Sequence, residues 1–172
     1  PTPLRTGIEQ SRNLMTVRLA QEVGMDTVAG YAERFGVYDD MDPFLANALG
    51  SSETTLFRMV AAYAMFANGG ERVEPTLVDR IQDRYGRTIY RHDQRDCIDC
   101  TEPALTAGYG PRIVSDRWRV MDAITAYQLT SMMTGVVERG TGASTVGNAG
   151  LGVPIAGKTG TTNDAKDVWF IG

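Results

Sequence analysis

The sequence predicts a mixed α/β (α+β) domain. Apolar residues recur at helical spacing in four stretches, and the final part of the chain reads as extended strands. The chain has 172 residues, 42% hydrophobic and 22% charged, which is enough for one domain with a real core. A formal net charge of −4 without a long basic run argues against nucleic acid as a partner. No apolar run approaches the ~18 residues of a membrane span, so no membrane contact is expected from this segment. Pro1-Thr2-Pro3-Leu4-Arg5 lacks the apolar region of a signal peptide, so an extracytoplasmic address would come from sequence outside this chain.

The elements follow in order. Met15, Leu19 and Val23 make one apolar stripe of a helix over 11–23, with Ser11 or Asn13 as its cap and Gly24 as its stop. Asp26 then reads as the cap of a second helix through Val28, Tyr31, Ala32 and Phe35, ending at Gly36. A third helix carries Leu56, Met59, Val60, Tyr63, Ala64 and Phe66. Thr54 or Thr55 caps it, Gly69-Gly70 terminates it, and it is apolar on so much of its circumference that it should be buried. Segments 76–84 and 88–91 flank Tyr85-Gly86-Arg87 as a hairpin, Gly86 being free to take positive φ.

Segment 92–118 is the least regular and reads as an inserted surface loop. It holds Cys97 and Cys100, either a local disulfide or two spare thiols. Zinc is disfavoured, because only His92 and nearby carboxylates could complete a ligand set. A fourth helix is expected over 122–138, with Ile124, Leu129, Met132, Met133 and Val136 inward and Gly140-Thr141-Gly142 closing it. Strands are expected over 153–162 and 168–171, the second reading as the start of a central strand. The natural domain is therefore expected to continue beyond this chain.

The most specific chemistry lies in Lys158-Thr159-Gly160-Thr161-Thr162. Lys158 supplies positive charge, and Thr159 and Thr161 supply hydroxyl donors. Together they suit a substrate carboxylate. Gly160 has no Cβ, so a peptide can lie close against the strand and pair with its edge. The Thr161 N–H could form half of an oxyanion hole. Lys-Thr-Gly alone is a common tripeptide, more often an ordinary strand end than a site. Ser11-Arg12-Asn13, far upstream, matches Ser-x-Asn, for which a helix cap is the ordinary explanation. The two together match elements shared by β-lactamases and penicillin-binding proteins.

The surrounding text extends the match. Glu9-Gln10-Ser11-Arg12-Asn13-Leu14-Met15-Thr16-Val17, Leu49-Gly50-Ser51-Ser52-Glu53, Phe66-Ala67-Asn68-Gly69-Gly70, Val136 to Gly142, Gly157 to Asp164 and Asp167 to Gly172 occur in that order. In that order they closely resemble the transpeptidase domain of class A, bifunctional penicillin-binding proteins. The resemblance implies the penicilloyl-serine transferase, or β-lactamase-like, transpeptidase fold, here incomplete: a helical lobe plus part of an antiparallel sheet. Residues 1–172 would be a partial transpeptidase domain with 92–118 inserted in it. It also implies peptidoglycan stem peptides and β-lactams as partners, no cofactor, and a place on the periplasmic face of a bacterial inner membrane, anchored from outside this chain.

Carried over by position, Ser11 would relay a proton between nucleophile and leaving amine. Asn13 would bond the substrate's amide side. Lys158 would hold the Ser11 network, and Thr159, Gly160 and Thr161 would bind the substrate. Asp167 and Trp169 read as structural.

One departure matters. The family's Ser-x-x-Lys nucleophile belongs upstream of Ser-x-Asn, and this chain's two lysines, Lys158 and Lys166, leave no such motif. A serine without an adjacent base is a weak nucleophile. The upstream part of the same polypeptide is accordingly expected as a partner, and the segment alone is expected to be inactive. Two alternatives stay open on these residues: a D,D-carboxypeptidase or β-lactamase-like hydrolase on the same fold, and a non-catalytic module that binds stem peptides.

Overall fold

The computed structural model of the chain describes residues 2–98, 100, 110–115 and 117–172. The expected 92–118 loop lies partly outside the described residues. The chain divides into two compact units, Pro1–Val73 with Arg119–Gly172, and Glu74–Trp118.

The larger unit is mostly helical. Its helices are α1 (Leu4–Glu9), α2 (Asn13–Val23), α3 (Met25–Arg34), α4 (Leu56–Ala67) and α5 (Ala123–Glu138), with a 3₁₀ turn at Leu45–Leu49. Its two strands, β5 (Lys158–Thr161) and β6 (Val168–Ile171), pair antiparallel with Lys158 opposite Ile171 and Thr161 opposite Val168. The mixed helix-and-strand architecture expected from the sequence is the one observed.

Local chemistry explains several ends. Thr55 Oγ1 accepts the Arg58 N–H at the start of α4, and Asp122 accepts the N–H groups of Ile124 and Thr125 at the start of α5. Each satisfies a donor that the first helical turn leaves over. Packing does the rest. Phe35, Ala62, Met65 and Val120 form one core, with Val37, Phe66, Val73 and Met121 against it. Phe35 and Phe66 meet with ring centroids 5.0 Å apart. The Gly70 carbonyl accepts the N–H groups of Val120 and Met121, and Glu71 bridges Arg119, so the two sequence-distant parts of this unit are joined backbone to backbone. Helix α5 buries Ala126, Met133, Val136 and Val137 and packs against α1, α4 and β5.

Several expectations need correction. Helix α1 was not anticipated: it has six residues and no side-chain cap, and its support comes from α5. The N-cap of α2 is Arg12, not Ser11 or Asn13, because Ser11 is engaged in ending α1. Asp26 does not cap α3. Gly24, at φ 92°, both ends α2 and opens α3, which leaves Asp26 in the first turn. There its charge still favours the positive helix end. Helix α4 turns only Ala61, Ala62 and Met65 fully inward, while Leu56, Phe57 and Val60 are exposed. Ile124 is 69% exposed, because two residues of helix rotate it away from buried Ala126. β5 begins at Lys158, not at 153, since the preceding residues do not pair.

The described residues of the smaller unit include two antiparallel pairs. β1 (Arg80–Gln82) pairs with β2 (Thr88–Arg91), and β3 (Asp96–Ile98) with β4 (Arg112–Val114). The first hairpin turns as expected. Gly86 sits at φ 82°, and Asp83 Oδ1 accepts the Tyr85 and Arg87 N–H groups, each at 2.9 Å. Within the segment expected to be an irregular loop, the described residues include the β3–β4 pair. Cys97 and Cys100 are paired as a disulfide. His92 Nε2 meets the Glu74 carbonyl at 3.0 Å.

Candidate active site

The candidate site is built where α1 passes into α2. The Arg12 N–H bonds the Gly7 carbonyl at 2.9 Å, and the Ser11 N–H bonds the Ile8 carbonyl at 3.2 Å. With Gln10 as the C-cap of α1, these two bonds form a Schellman motif. Its left-handed position is Ser11, at φ 51°. Glycine usually occupies that position, because a Cβ there costs about 1–2 kcal/mol. Serine is thus held in a conformation that backbone preference alone would not select.

Its hydroxyl has a partner from the far end of the sequence. Lys158 Nζ donates to Ser11 Oγ at 2.9 Å, across a separation of 147 residues. The same ammonium donates to the Thr159 carbonyl at 2.8 Å. Burial pushes the Lys158 pKa below the ordinary lysine value, since a charged ammonium loses hydration there. A hydroxyl has one donor and two acceptor sites. By accepting from Lys158, Ser11 keeps its own O–H available for a third group.

Thr159 Oγ1 lies 2.5 Å from Thr141 Oγ1. Gly160 and Thr161 are exposed further along β5. No described atom lies within 4 Å of where a Gly160 side chain would begin, and its φ is not positive. Neither backbone conformation nor internal packing therefore requires glycine at this position. Asn13 is exposed in the first turn of α2, two residues after Ser11. Asp167 and Thr162 close the turn before β6: the Asp167 N–H donates to Thr162 Oγ1 at 2.9 Å, and the Thr162 N–H to the Asp167 carbonyl at 3.0 Å.

The structure thus joins Ser11 and Lys158 directly, ties Thr159 to Thr141, and leaves Gly160, Thr161 and Asn13 facing solvent. Thr141, Glu9 and Arg139 lie within the stretches that carry the resemblance, but the motifs alone give them no part in the site. Their signal was position: Glu9 is two residues before Ser11, and Arg139 and Thr141 flank Gly140. Among the described residues, no three His, Cys, Asp or Glu side chains form a group able to hold a metal. No described helix is long and apolar enough to cross a membrane.

A helical body with Ser-x-Asn at a helix junction, hydrogen-bonded to Lys-Thr-Gly on an antiparallel strand, defines the class: the penicilloyl-serine transferase type of fold. The family model for the penicillin-binding protein transpeptidase domain matches residues 1–172, and the chain belongs to that family. Penicillin-binding protein 1A of Rickettsia bellii is 45% identical over 174 residues, covering 100% of this chain and 22% of the relative. The protein of that name from Pseudomonas aeruginosa is 32% identical over 205 residues, covering 100% and 24%. The crystal structure of penicillin-binding protein 1A from Haemophilus influenzae matches with a TM-score of 0.75 at 29% identity, covering 99% of this chain and 28% of that one. The chain spans about a fifth of the length of the curated relatives it matches.

Proposed function

We propose that these residues supply the Ser-x-Asn and Lys-Thr-Gly parts of a peptidoglycan D,D-transpeptidase site that works through an acyl-serine intermediate and is acylated by β-lactams. The observation that carries the reading is the 2.9 Å bond between Lys158 Nζ and Ser11 Oγ. In this reading a nucleophilic serine and its base lysine, contributed from outside these residues, attack the penultimate D-alanine carbonyl of a stem peptide. Ser11 passes a proton toward the leaving D-alanine amine. Lys158 keeps the Ser11 oxygen oriented and gives the cleft a positive field for the terminal carboxylate. Thr159 and Thr161 hydroxyls bind that carboxylate, and Asn13 bonds the substrate amide. The open space over Gly160 admits the substrate backbone against β5. A neighbouring stem's amine then takes the acyl group, forming the cross-link and freeing the serine. The substrate places this chemistry outside the cytoplasmic membrane.

The test is covalent labelling by a fluorescent penicillin, using a polypeptide of the relatives' length that carries this segment. It should label, and Ser11→Ala should slow labelling by about 10²- to 10⁴-fold, the usual range for a lost proton-transfer group. The 172-residue chain by itself should take up no label. Labelling of that chain alone would place the nucleophile within it, and a full polypeptide that never labels would end the reading. Product analysis on paired stems separates cross-linking from simple loss of D-alanine.

A further inference from the structure

Among the described residues of the larger unit one charged side chain is buried, and it stands beside the site without belonging to it. Glu9, the last residue of α1, is 7% exposed. Arg139, just past α5, grips it with two bonds: Nη2 to Oε1 at 2.5 Å and Nε to Oε2 at 3.1 Å. A planar guanidinium fork on a carboxylate fixes orientation as well as distance. The backbone repeats the contact, since the Thr141 N–H donates to the Glu9 carbonyl at 3.0 Å.

The neighbours are cut to fit. A side chain on Gly135 would strike the Glu9 carboxylate, and one on Gly140 would strike the Glu9 carbonyl oxygen. Arg5, one turn earlier, donates to the Ser131 carbonyl at 2.9 Å and to Ser131 Oγ at 3.2 Å. Helix α1 is thereby fastened to α5 at both ends.

Two residues beyond Glu9 the chain reaches Ser11 in its left-handed conformation. Two residues beyond Arg139 stands Thr141, whose hydroxyl meets that of Thr159, the neighbour of Lys158. The contacts close a ring: Ser11, Glu9, Arg139 with Thr141, Thr159, Lys158, and back to Ser11.

We infer that Glu9, Arg139 and Thr141 are positioning residues for the acylation reaction, acting through this ring to set the Ser11–Lys158 contact. The inference rests on the transpeptidase reading above and extends it to residues that touch neither substrate nor nucleophile. A misplacement on the order of 1 Å at a proton-relay group costs about 100-fold in rate. The ring's role is to keep the Ser11 oxygen within bonding distance of Lys158 while leaving its proton free.

The experiment measures acylation by penicillin in the full-length polypeptide, separating the limiting rate from the reversible binding constant. Glu9→Gln keeps the shape of the side chain and removes its charge. Thr141→Val keeps the shape and backbone N–H of an exposed residue and removes its hydroxyl, and Thr141→Ser restores the hydroxyl. Expected are limiting rates lowered about 10- to 100-fold in Glu9→Gln and Thr141→Val. Reversible binding should change less than about threefold, and Thr141→Ser should recover the rate. If Glu9→Gln does not fold, the Thr141 pair decides alone. A variant that melts earlier yet acylates at the parent limiting rate overturns the inference, since its role is then merely structural. So does a rate loss in Thr141→Val that Thr141→Ser does not repair. A parent polypeptide that never acylates defeats the transpeptidase reading instead, and the two failures are thereby told apart.

Discussion

The junction around Ser11 and the strand pairs of residues 74–118 are held in opposite ways. At the junction the deciding contacts cross most of the sequence: Arg5 to Ser131, Glu9 to Arg139, Ser11 to Lys158. In the smaller unit many of them are local. Asp83 organises its own turn, Gln82 Nε2 donates to the Gly86 carbonyl, Arg95 binds Asp93, and Cys97 closes on Cys100. The four strands described there are exposed along their length. Local bonds need only a short stretch of sequence to be in place, whereas bonds between distant parts of the sequence exist only once the fold is complete. A site assembled from the second kind is specific to the folded state and is vulnerable far from its own chemistry.

Two glycine substitutions test that contrast most strongly. Gly140→Ala would push a Cβ into the Glu9 carbonyl and toward the Val136 Cα, backbone that cannot step aside. The expected cost to α1 and α5 is about 3 kcal/mol, the upper part of the range for overpacking. Gly86→Ala meets open space and loses only the ease of positive φ, about 1 kcal/mol, confined to the hairpin. Hydrogen exchange resolves both by comparing protection of the α1 and hairpin amides. Equal effects would break the contrast.

The same contrast decides what could be read from sequence. The Gly86 turn, a threonine cap on α4 and strand β6 were legible, because each is written in a few adjacent residues. Lys158 and Ser11 were legible as a pair only through their joint resemblance to a family pattern. Helix α1 was missed because nothing within six residues demands it, and its partner Arg139 is 130 residues away. Ser11 was offered as a helix cap because serine usually is one. Its actual place, at the left-handed end of the preceding helix, depends on a helix the local pattern did not reveal. Ile124 was expected inward because apolar spacing gives a stripe without saying which side of it a neighbour covers.

Ser11 sharpens the comparison at the next scale of effect. Ser11→Ala and Ser11→Gly both remove the hydroxyl, so both should slow acylation alike. They differ in backbone. Alanine keeps the Cβ that opposes φ 51°, whereas glycine adopts that angle freely. Glycine should leave α1 and α2 about 1 kcal/mol more stable than alanine does, read by the same exchange measurement. Equal stability would mean that the junction holds Ser11 without opposing strain, and the case for a conformation kept for its hydroxyl would weaken.

The smallest effects concern protons, and here the two regions differ in cause while agreeing in sign. The Arg95 side chain bonds Asp93 and holds its carboxyl well below the usual carboxylate range. Asp93 therefore favours the folded smaller unit above its unfolded pKa, and that support fades as pH falls through the lowered folded value. The pair is still partly open to solvent, so the change should be slight. Lys158 is lowered by burial. Below both of its pKa values it is charged in folded and unfolded chains alike, and hydration lost on folding makes that charge unfavourable. Stability around the site should rise as pH climbs through the folded pKa toward the ordinary lysine value, because in that window the unfolded chain binds more protons. Carbon-13 NMR titration of Lys158 Cε and Asp93 Cγ reads each group directly. Lys158 titrating above an ordinary lysine would mean that an anion, not lost hydration, dominates its surroundings, and the positive field assigned to the cleft would already be neutralised from within.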